Sequence, residues 1–213
     1  FGHKTSRWHP KMAPYIHSKR QETHIIDLVK TAEGLEAALP FITKTVASGK
    51  KVLFVGTKKQ HKEIVKAAAE SAGMPYVTER WVGGMLTNVA TMGTQIKKLH
   101  DLEKRMASGD LEKRYNKLEV QRFQEEIDVL NSKYDGIKNL EGQPGAVIVV
   151  DTINDAGAIR EARNLKVPVV GVVDTNADPT LVDYVIPGND DAIKGTQLLL
   201  DYFVAAVKEG AVK

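Results

Sequence analysis

The chain of 213 residues contains no cysteine, which excludes disulfides, thiolate metal sites and cysteine nucleophiles. Aromatic residues make up only 6% of the sequence, and no apolar run approaches the roughly 20 residues that a membrane-spanning helix needs. Nor does one sign of charge dominate, because 30 basic and 27 acidic residues leave a net charge of +3. With 42% hydrophobic residues, the composition is that of a globular protein with a real core.

Several motifs of enzymes and nucleotide-binding proteins are also missing. The sequence contains neither G-x-x-x-x-G-K-[ST] nor G-x-G-x-x-G, so a loop for a nucleoside triphosphate or a dinucleotide is not supported. None of the six histidines forms H-E-x-x-H, and no serine lies in G-x-S-x-G. No nucleophile, base and orienting residue can therefore be named for a catalytic site.

The basic charge is concentrated at the start of the chain. Two short strand-like segments, residues 15–17 and 23–26, flank a polar turn at residues 18–22. We therefore predict a basic arm or hairpin over residues 1–26, and its cations together with Trp8 favour a nucleic-acid partner. The basic residues of this arm are Lys4, Arg7, Lys11, Lys19 and Arg20.

From residue 51 onward, short apolar segments alternate with helical patterns. Fully apolar, β-branched runs of this kind are typical of parallel strands that are covered on both faces. Five such strands predict a doubly wound parallel α/β sheet in flavodoxin-like order, formed by residues 27–85 and 136–213. The expected strands are residues 51–56, 75–78, 146–151, 167–174 and 184–186.

Residues 86–135 do not fit this alternation. Their apolar residues recur at steps of three and four in two seams, which are separated by a break at residues 108–110. This pattern predicts an inserted antiparallel coiled-coil hairpin of two helices, each about 20 residues long. Its outer faces mix both signs of charge, as solvated ion pairs on a helix also do. The seams are Val89, Met92, Ile96, Leu99 and Met106 in the first helix, and Val120, Phe123, Ile127, Leu130 and Tyr134 in the second.

The segment R-W-V-G-G-M-L-T-N, residues 80–88, joins the second strand to the hairpin. Its adjacent glycines let another backbone come close, and a polar residue at its end can cap the following helix. A tight turn around a buried Trp81 explains the same residues. The alternative is a hinge that presents Arg80 and the bare backbone of Gly83 and Gly84 to a phosphate-rich partner, with Trp81 anchoring the base of the hairpin.

A strand, a glycine and basic residues also meet at residues 53–59, where we expect a helix to start at Thr57. Helix N-termini bind phosphate, so Lys58 and Lys59 are candidates for contact with a nucleic-acid backbone. A tight strand-to-helix turn accounts for these residues as well.

Asp151 and Asp174 each follow an apolar strand, where an α/β enzyme or a phosphoacceptor domain would keep a catalytic carboxylate. Capping of a loop or a helix is the plainer explanation. Oxygen and imidazole donors suit zinc or magnesium, so Asp174, Asp191 and a histidine of the arm are also candidate ligands of a cation.

These segments together resemble one protein family, the universal small-subunit ribosomal protein S-two family in its bacterial or organellar form. The matches run in family order across essentially the whole chain. They are F-G-H and R-W-H-P-K-M within residues 1–12, H-I-I-D-L at 24–28, L-F-V-G-T-K at 53–58, R-W-V-G-G-M-L-T-N at 80–88, G-I-K at 136–138, and V-D-T-N-A-D-P and I-P-G-N-D-D-A-I within 173–193.

The resemblance implies a flavodoxin-like domain with an inserted coiled-coil hairpin, bound to small-subunit ribosomal RNA on a cytoplasmic or organellar ribosome. It implies neighbouring ribosomal proteins as partners, among them the OB-repeat protein S-one, and a further helix before Phe1. It also implies no enzymatic activity and no required cofactor, although a structural zinc near His3, Asp174 and Asp191 occurs in some members. A flavodoxin-like nucleotide-binding enzyme or phosphoacceptor, and a hairpin that docks protein, are the alternatives.

The resulting prediction for the RNA-binding site combines the arm, the turn after the first sheet strand, the junction segment and the first hairpin helix. Its residues are Lys4, Arg7, Trp8, Lys11, Lys19, Arg20, Lys58, Lys59, Arg80, Gly83, Gly84, Thr87, Asn88, Lys97 and Lys98.

Overall fold

The computed structural model of the protein describes residues 1–212, and its first strands form a small antiparallel hairpin. Strand β1 (Ile16–Arg20) pairs with β2 (Thr23–Ile26). The two residues between them, Gln21 and Glu22, have φ angles of 46° and 60°. This left-handed conformation is the one that a two-residue hairpin turn requires. The turn is therefore shorter than the sequence indicates, and Ser18 lies in the strand rather than in the turn.

The main sheet has five strands, all parallel, in the order β4-β3-β5-β6-β7. Counted along the chain within this sheet, the order is 2-1-3-4-5, which is flavodoxin-like. The predicted α/β fold class is confirmed. The strands are β3 (Val52–Val55), β4 (Tyr76–Val77), β5 (Ala146–Val149), β6 (Val169–Val173) and β7 (Tyr184–Pro187).

Seven helices occur within the described residues: α1 (Leu28–Ala47), α2 (Lys62–Ser71), α3 (Val89–Ala107), α4 (Asp110–Arg114), α5 (Lys117–Tyr134), α6 (Ala156–Asn164) and α7 (Ile193–Ala211). Successive side chains of a strand point to opposite faces, so each strand contributes to two cores. Phe54 and Ile148 pack with α1, α2 and α7 on one face, whereas Leu53 and Val147 pack with α6 and the inserted helices on the other. Within residues 1–212, no helix combines the length and the apolarity that crossing a bilayer demands.

The insertion between β4 and β5 consists of α3, α4 and α5. Its two long helices pack together through residues such as Leu99 and Ile127, as the seams predict. Val89 does not take part, since it is 68% exposed, whereas Leu102 is 5% exposed and joins this core.

The connection between the two long helices contains an additional break. Gly109 has a left-handed φ of 69° and ends α3 where the sequence predicts. The second long helix begins at Lys117 rather than directly after this glycine. Asn116 accepts a hydrogen bond from the Glu119 backbone, and the Glu119 side chain accepts one from the Asn116 backbone. This capping box starts a new helix and leaves α4 as a separate turn.

The loop after β3 is longer than the sequence indicates, because α2 begins at Lys62 and not at Thr57. The backbone N–H and the hydroxyl of Thr57 donate to the two carboxylate oxygens of Asp155 at 3.2 and 2.6 Å. Thr57 is thereby held against the loop after β5. The expectation that Lys58 and Lys59 open a helix is wrong.

Candidate nucleic-acid interface

The N-terminal arm is docked on the carboxyl end of β6. The backbone N–H of His3 donates to the hydroxyl of Thr175 at 2.8 Å, and that of His9 donates to the Thr175 carbonyl at 2.7 Å. A Cβ built on Gly2 would lie 2.5 Å from Cγ2 of Thr175, so the contact leaves no room for a side chain there. The arm therefore has a fixed position on the sheet domain.

Most cations of the arm point away from the protein. Lys11 is an exception, because its ammonium lies 2.9 Å from the carboxylate of Asp178 and lowers the pKa of that group. Trp8 is 38% exposed, and its ring centre lies 5.1 Å from that of His24. The exposed cations of the arm that pair with no carboxylate in residues 1–212 are Lys4, Arg7, Lys19 and Arg20.

Lys58 lies within a group of carboxylates at the carboxyl edge of the sheet. Its Nζ is 2.7 Å from Asp191, and 3.2 Å from both Asp190 and Asp151. Burial alone would lower the pKa of Lys58, but the three carboxylates outweigh burial and raise it. Lys58 is therefore occupied by protein carboxylates, whereas the neighbouring Lys59 is exposed.

Three groups that can bind a cation meet beside Lys58. His3, Asp174 and Asp190 each offer one ligand atom, and these atoms lie within 4.8 Å of one another. Nδ1 of His3 is 3.2 Å from Asp174, and Nε2 of the same ring is 3.6 Å from Asp191. Burial, together with the charges of Asp151 and Asp174, raises the pKa of Asp190 to about 6. The structure thus brings the predicted His3 and Asp174 together with Asp190, whereas the predicted Asp191 lies outside this group.

The loop from β4 to α3 wraps around the carboxylate of Glu161, which belongs to α6. Its Oε1 accepts hydrogen bonds from the indole N–H of Trp81 at 3.0 Å and from the Gly84 N–H at 2.8 Å. Its Oε2 accepts from the Leu86 N–H at 2.9 Å, and from the N–H and the hydroxyl of Thr87, both at 3.2 Å. Burial would raise the pKa of Glu161, but these donors outweigh burial and lower it. A carboxylate of the protein therefore fills the nest of N–H groups that could receive a phosphate.

Trp81 fixes the base of the insertion to the sheet domain, in agreement with the prediction. A Cβ built on Gly157 would lie 3.1 Å from Cδ1 of Trp81, so the indole rests directly on α6. Gly157 and Glu161 are four residues apart and lie on the same face of that helix. Asn88 then caps α3 by accepting a hydrogen bond from the Thr91 N–H at 3.3 Å. The loop is thus held at both of its ends.

The predicted RNA-binding residues therefore lie in four places, namely the arm, the carboxyl edge of the sheet, the junction with the insertion and helix α3. Arg80 and Gly83 are exposed at the junction, and Lys97 is exposed on α3. Lys98 forms an ion pair with Glu126 of α5.

Sequence reasoning missed Glu161, although it organises the junction. Its five partners precede it by 74 to 80 residues, and in the sequence it is one of several acidic residues in a helical pattern. The prediction of cation ligands also omitted Asp190, but only by one position, because Asp190 stands next to the predicted ligand Asp191 in the segment I-P-G-N-D-D.

The carboxylates at the strand ends are engaged within the protein. One oxygen of Asp151 accepts hydrogen bonds from the backbone N–H groups of Ile153 and Asn154 at 3.0 and 2.8 Å. Asp174 accepts from the N–H groups of Thr175 and Asp190 at 2.5 and 3.2 Å. These contacts favour loop capping over a catalytic role for both residues.

Comparison with known proteins adds independent evidence. The family model described as "Ribosomal protein S2" matches residues 1–210. A protein of Roseiflexus sp. named "Small ribosomal subunit protein uS2" is 50% identical over 210 residues, which are 99% of this chain and 80% of the relative. Proteins of the same name from Chloroflexus aggregans and Thermus thermophilus are each 49% identical, over 99% and 94% of this chain and 88% and 78% of the relatives.

Proposed function

Because the chain belongs to the ribosomal protein S2 family, we propose that it is a structural constituent of the small ribosomal subunit that binds small-subunit ribosomal RNA. The observation that carries this proposal is the docked arm, whose four exposed cations pair with no carboxylate of the described chain. Lysine and arginine side chains that replace the counterions condensed on RNA gain free energy from counterion release. A docked arm loses little conformational entropy when it binds, which favours affinity further.

The predicted residues divide into four groups by the role that we assign to them. Lys11, Lys58 and Lys98 already contact carboxylates, so we assign them to holding the arm, the sheet edge and the hairpin in place. Trp8 is assigned to stacking on a base. The glycines and caps of residues 83–88 shape the junction. Direct phosphate contacts are assigned to Lys4, Arg7, Lys19, Arg20, Lys59, Arg80 and Lys97.

Binding of small-subunit ribosomal RNA over a potassium chloride series tests the proposal. The double variant Lys19→Gln/Arg20→Gln removes two cations from the exposed part of β1. We expect the slope of log affinity against log salt to become shallower by about 1.4 to 1.8, since each phosphate contact contributes about 0.7 to 0.9. Lys50→Gln is the matched control, because Lys50 is exposed at the opposite, amino end of the sheet.

An unchanged slope in the double variant would remove these two residues from the interface. An unchanged slope in variants of every exposed cation of the arm would overturn the proposed function.

We further propose that the protein acts as part of the assembled ribosome, in the cytoplasm or an organelle. There it would contact neighbouring small-subunit proteins and help recruit the OB-repeat protein S-one. No catalytic step is proposed, because the carboxylates that a flavodoxin-like enzyme or phosphoacceptor would use, Asp151 and Asp174, hold loops. The free protein should co-sediment with small subunits, and it should bind neither nucleotide nor flavin in equilibrium dialysis.

The donors beside the arm fit a structural cation, and we propose His3, Asp174 and Asp190 as its ligands, with Asp191 close by. Imidazole and carboxylate donors suit zinc, and carboxylates alone suit magnesium. The carboxylates here outnumber the single ammonium group of Lys58, so a dication would offset their repulsion. We propose no requirement for the ion. Zinc added to metal-free protein should raise the Tm of the wild type but not that of Asp190→Asn, and equal shifts would contradict this ligand set.

A further inference from the structure

The two long helices of the insertion differ in what their outer faces carry. Helix α3 has four Lys or Arg side chains and two acidic ones, whereas α5 has three and four respectively. Helix α5 also exposes Leu118 by 71% and Val129 by 52%. Among the described residues of α3, the only large apolar side chain exposed to this degree is Val89, at the start of the helix. The hairpin is therefore polarised, with its basic and polar side on α3.

Two of the four cations of α3 are engaged by carboxylates. Lys98 pairs with Glu126 of the facing helix. Nε of Arg105 lies 3.2 Å from Asp110, which belongs to α4. The cations of α3 that are exposed and form no ion pair within residues 1–212 are Lys97 and Lys104.

These two lysines form one surface. They are seven residues apart, so they lie on the same side of α3 and about 10.5 Å apart along its axis. The exposed residues before them, Ala90 and Thr94, are small, and a Cβ built on Gly93 would have no atom within 4 Å. Asp101 stands between the two lysines, four residues after Lys97 and three before Lys104, and its carboxylate lies 3.9 Å from the guanidinium of Arg105. Because this ion pair offsets the charge of Asp101, the two lysines can still reach two phosphates of one nucleic-acid strand.

The outer face of α5 lacks this arrangement, because its exposed cations Lys117, Arg122 and Lys133 stand five and eleven residues apart rather than two turns apart. Its exposed Arg122 has Glu119 three residues before it, and Glu125 and Glu126 three and four residues after it. Residues at these spacings are neighbours on a helix surface. A phosphate that approached Arg122 would therefore meet the repulsion of Glu119 and Glu125, whereas the charge of Glu126 is offset by Lys98.

We propose that the insertion contacts the phosphate backbone of RNA through the outer face of α3, with Lys97 and Lys104 as the phosphate ligands, and not through α5. This inference rests on the proposed function and specifies one surface of it. Ammonium groups recognise charge rather than base edges, so this contact fixes the position of the hairpin on RNA and does not depend on sequence.

Two double variants of equal charge change test the inference. Lys97→Gln/Lys104→Gln removes the proposed ligands from α3, and Arg122→Gln/Lys133→Gln removes two exposed cations from α5. Glutamine has nearly the helix propensity of lysine and arginine, and far-UV circular dichroism checks that both hairpins still fold. Affinity for small-subunit ribosomal RNA is then measured over a salt series.

We expect the α3 variant to make the slope of log affinity against log salt shallower by about 1.4 to 1.8, and the α5 variant to leave it unchanged. Lys97→Arg/Lys104→Arg should retain the wild-type slope. If the α5 variant flattens the slope and the α3 variant does not, the inference is overturned while the proposed function stands. If neither does, but Lys19→Gln/Arg20→Gln does, the hairpin makes no phosphate contact and the inference is again overturned. A wild-type slope in all three charge-removing double variants, and also in variants of Lys4 and Arg7, would overturn the proposed function itself.

Discussion

Replacement of Glu161 by glutamine should loosen the loop that joins the sheet to the insertion. The carboxylate accepts five hydrogen bonds from this loop, two on one oxygen and three on the other. Glutamine has the same size, but one oxygen becomes an NH2 group, which donates hydrogen bonds and cannot accept them. Whichever way the amide is turned, at least two donors of the loop then face another donor.

The expected cost of Glu161→Gln is about 2 to 4 kcal/mol in the free energy of opening the loop. A hydrogen bond to a charged group contributes about 1.5 to 3 kcal/mol, and a neutral one about 1. Leu86 is only 7% exposed, so its N–H cannot turn to water. Thr87 is exposed, so its donors recover part of their loss from solvent. Two to three weakened bonds of about 1 to 1.5 kcal/mol each give the stated range.

Native-state hydrogen exchange measures this cost at the loop itself. The amides of Gly84, Leu86 and Thr87 should exchange about 30- to 700-fold faster in the variant, since about 1.4 kcal/mol corresponds to a factor of ten. The amides of β3 and β5 should change much less if the loop opens locally. Glu36→Gln, which replaces an exposed glutamate of α1, is the matched control and should leave all these rates unchanged.

The pH dependence gives a second readout of the same contact. The loop donors lower the pKa of Glu161 below its ordinary value of 4.5. The stabilising effect of the carboxylate is therefore complete above that value and is lost as the pH falls through the lower, folded pKa. The difference in loop opening between wild type and Glu161→Gln should shrink in acid. Loop amides that keep their wild-type protection in the variant at pH 7 would refute the reasoning.

Asp155→Asn should remove a loss of stability that the wild type shows as the pH rises, because burial raises the pKa of this carboxyl group to about 6. The wild type loses up to about 3 kcal/mol between about pH 4 and about pH 6, and a difference between variant and wild type that stays constant between pH 4.5 and 7 in urea unfolding would contradict this. Gly136→Ala should lower the free energy of unfolding by about 2 kcal/mol, because the new Cβ would lie 2.1 Å from the carbonyl oxygen of Tyr76. Gly93→Ala enters open space on α3 and should raise this free energy by about 1 kcal/mol, so equal effects of the two alanines would contradict the packing argument.

The sheet can be predicted from the sequence because each strand carries its own signal. Residues 146–150 are apolar throughout, and a short run of this kind is buried at every position only when both faces of the strand are covered. All five of these residues are fully buried, and alternate ones enter different cores. The regular alternation of strands with helices then predicts a parallel sheet, and the number of five strands suggests the flavodoxin-like order.

The start of α5 can be predicted only in part from the sequence. Helical periodicity across the insertion suggests one long second helix, but the capping box of Asn116 and Glu119 is local and visible in the sequence.

Contacts between distant segments leave no such signal. Thr57 and Asp155 are 98 residues apart, and only the parallel pairing of β3 with β5 brings their loops together. The late start of α2 could therefore not be predicted without the tertiary structure.

Contacts between distant segments also decide which of the motifs that suggest anion binding remain available to a ligand. Residues 56–59 and the glycine pair at 83–84 both look like anion-binding segments in the sequence. In the folded chain Lys58 is surrounded by carboxylates, and the N–H groups of the junction loop hold Glu161. A group that is already satisfied within the protein gains little from a ligand, because binding must first break the internal contact. Unpaired cations lose no such contact. Among the predicted RNA-binding residues they lie on the arm, on α3 and at Lys59 and Arg80, whereas the carboxylates at the edge of the sheet where an enzyme of this fold would bind its substrate hold Lys58 and loops.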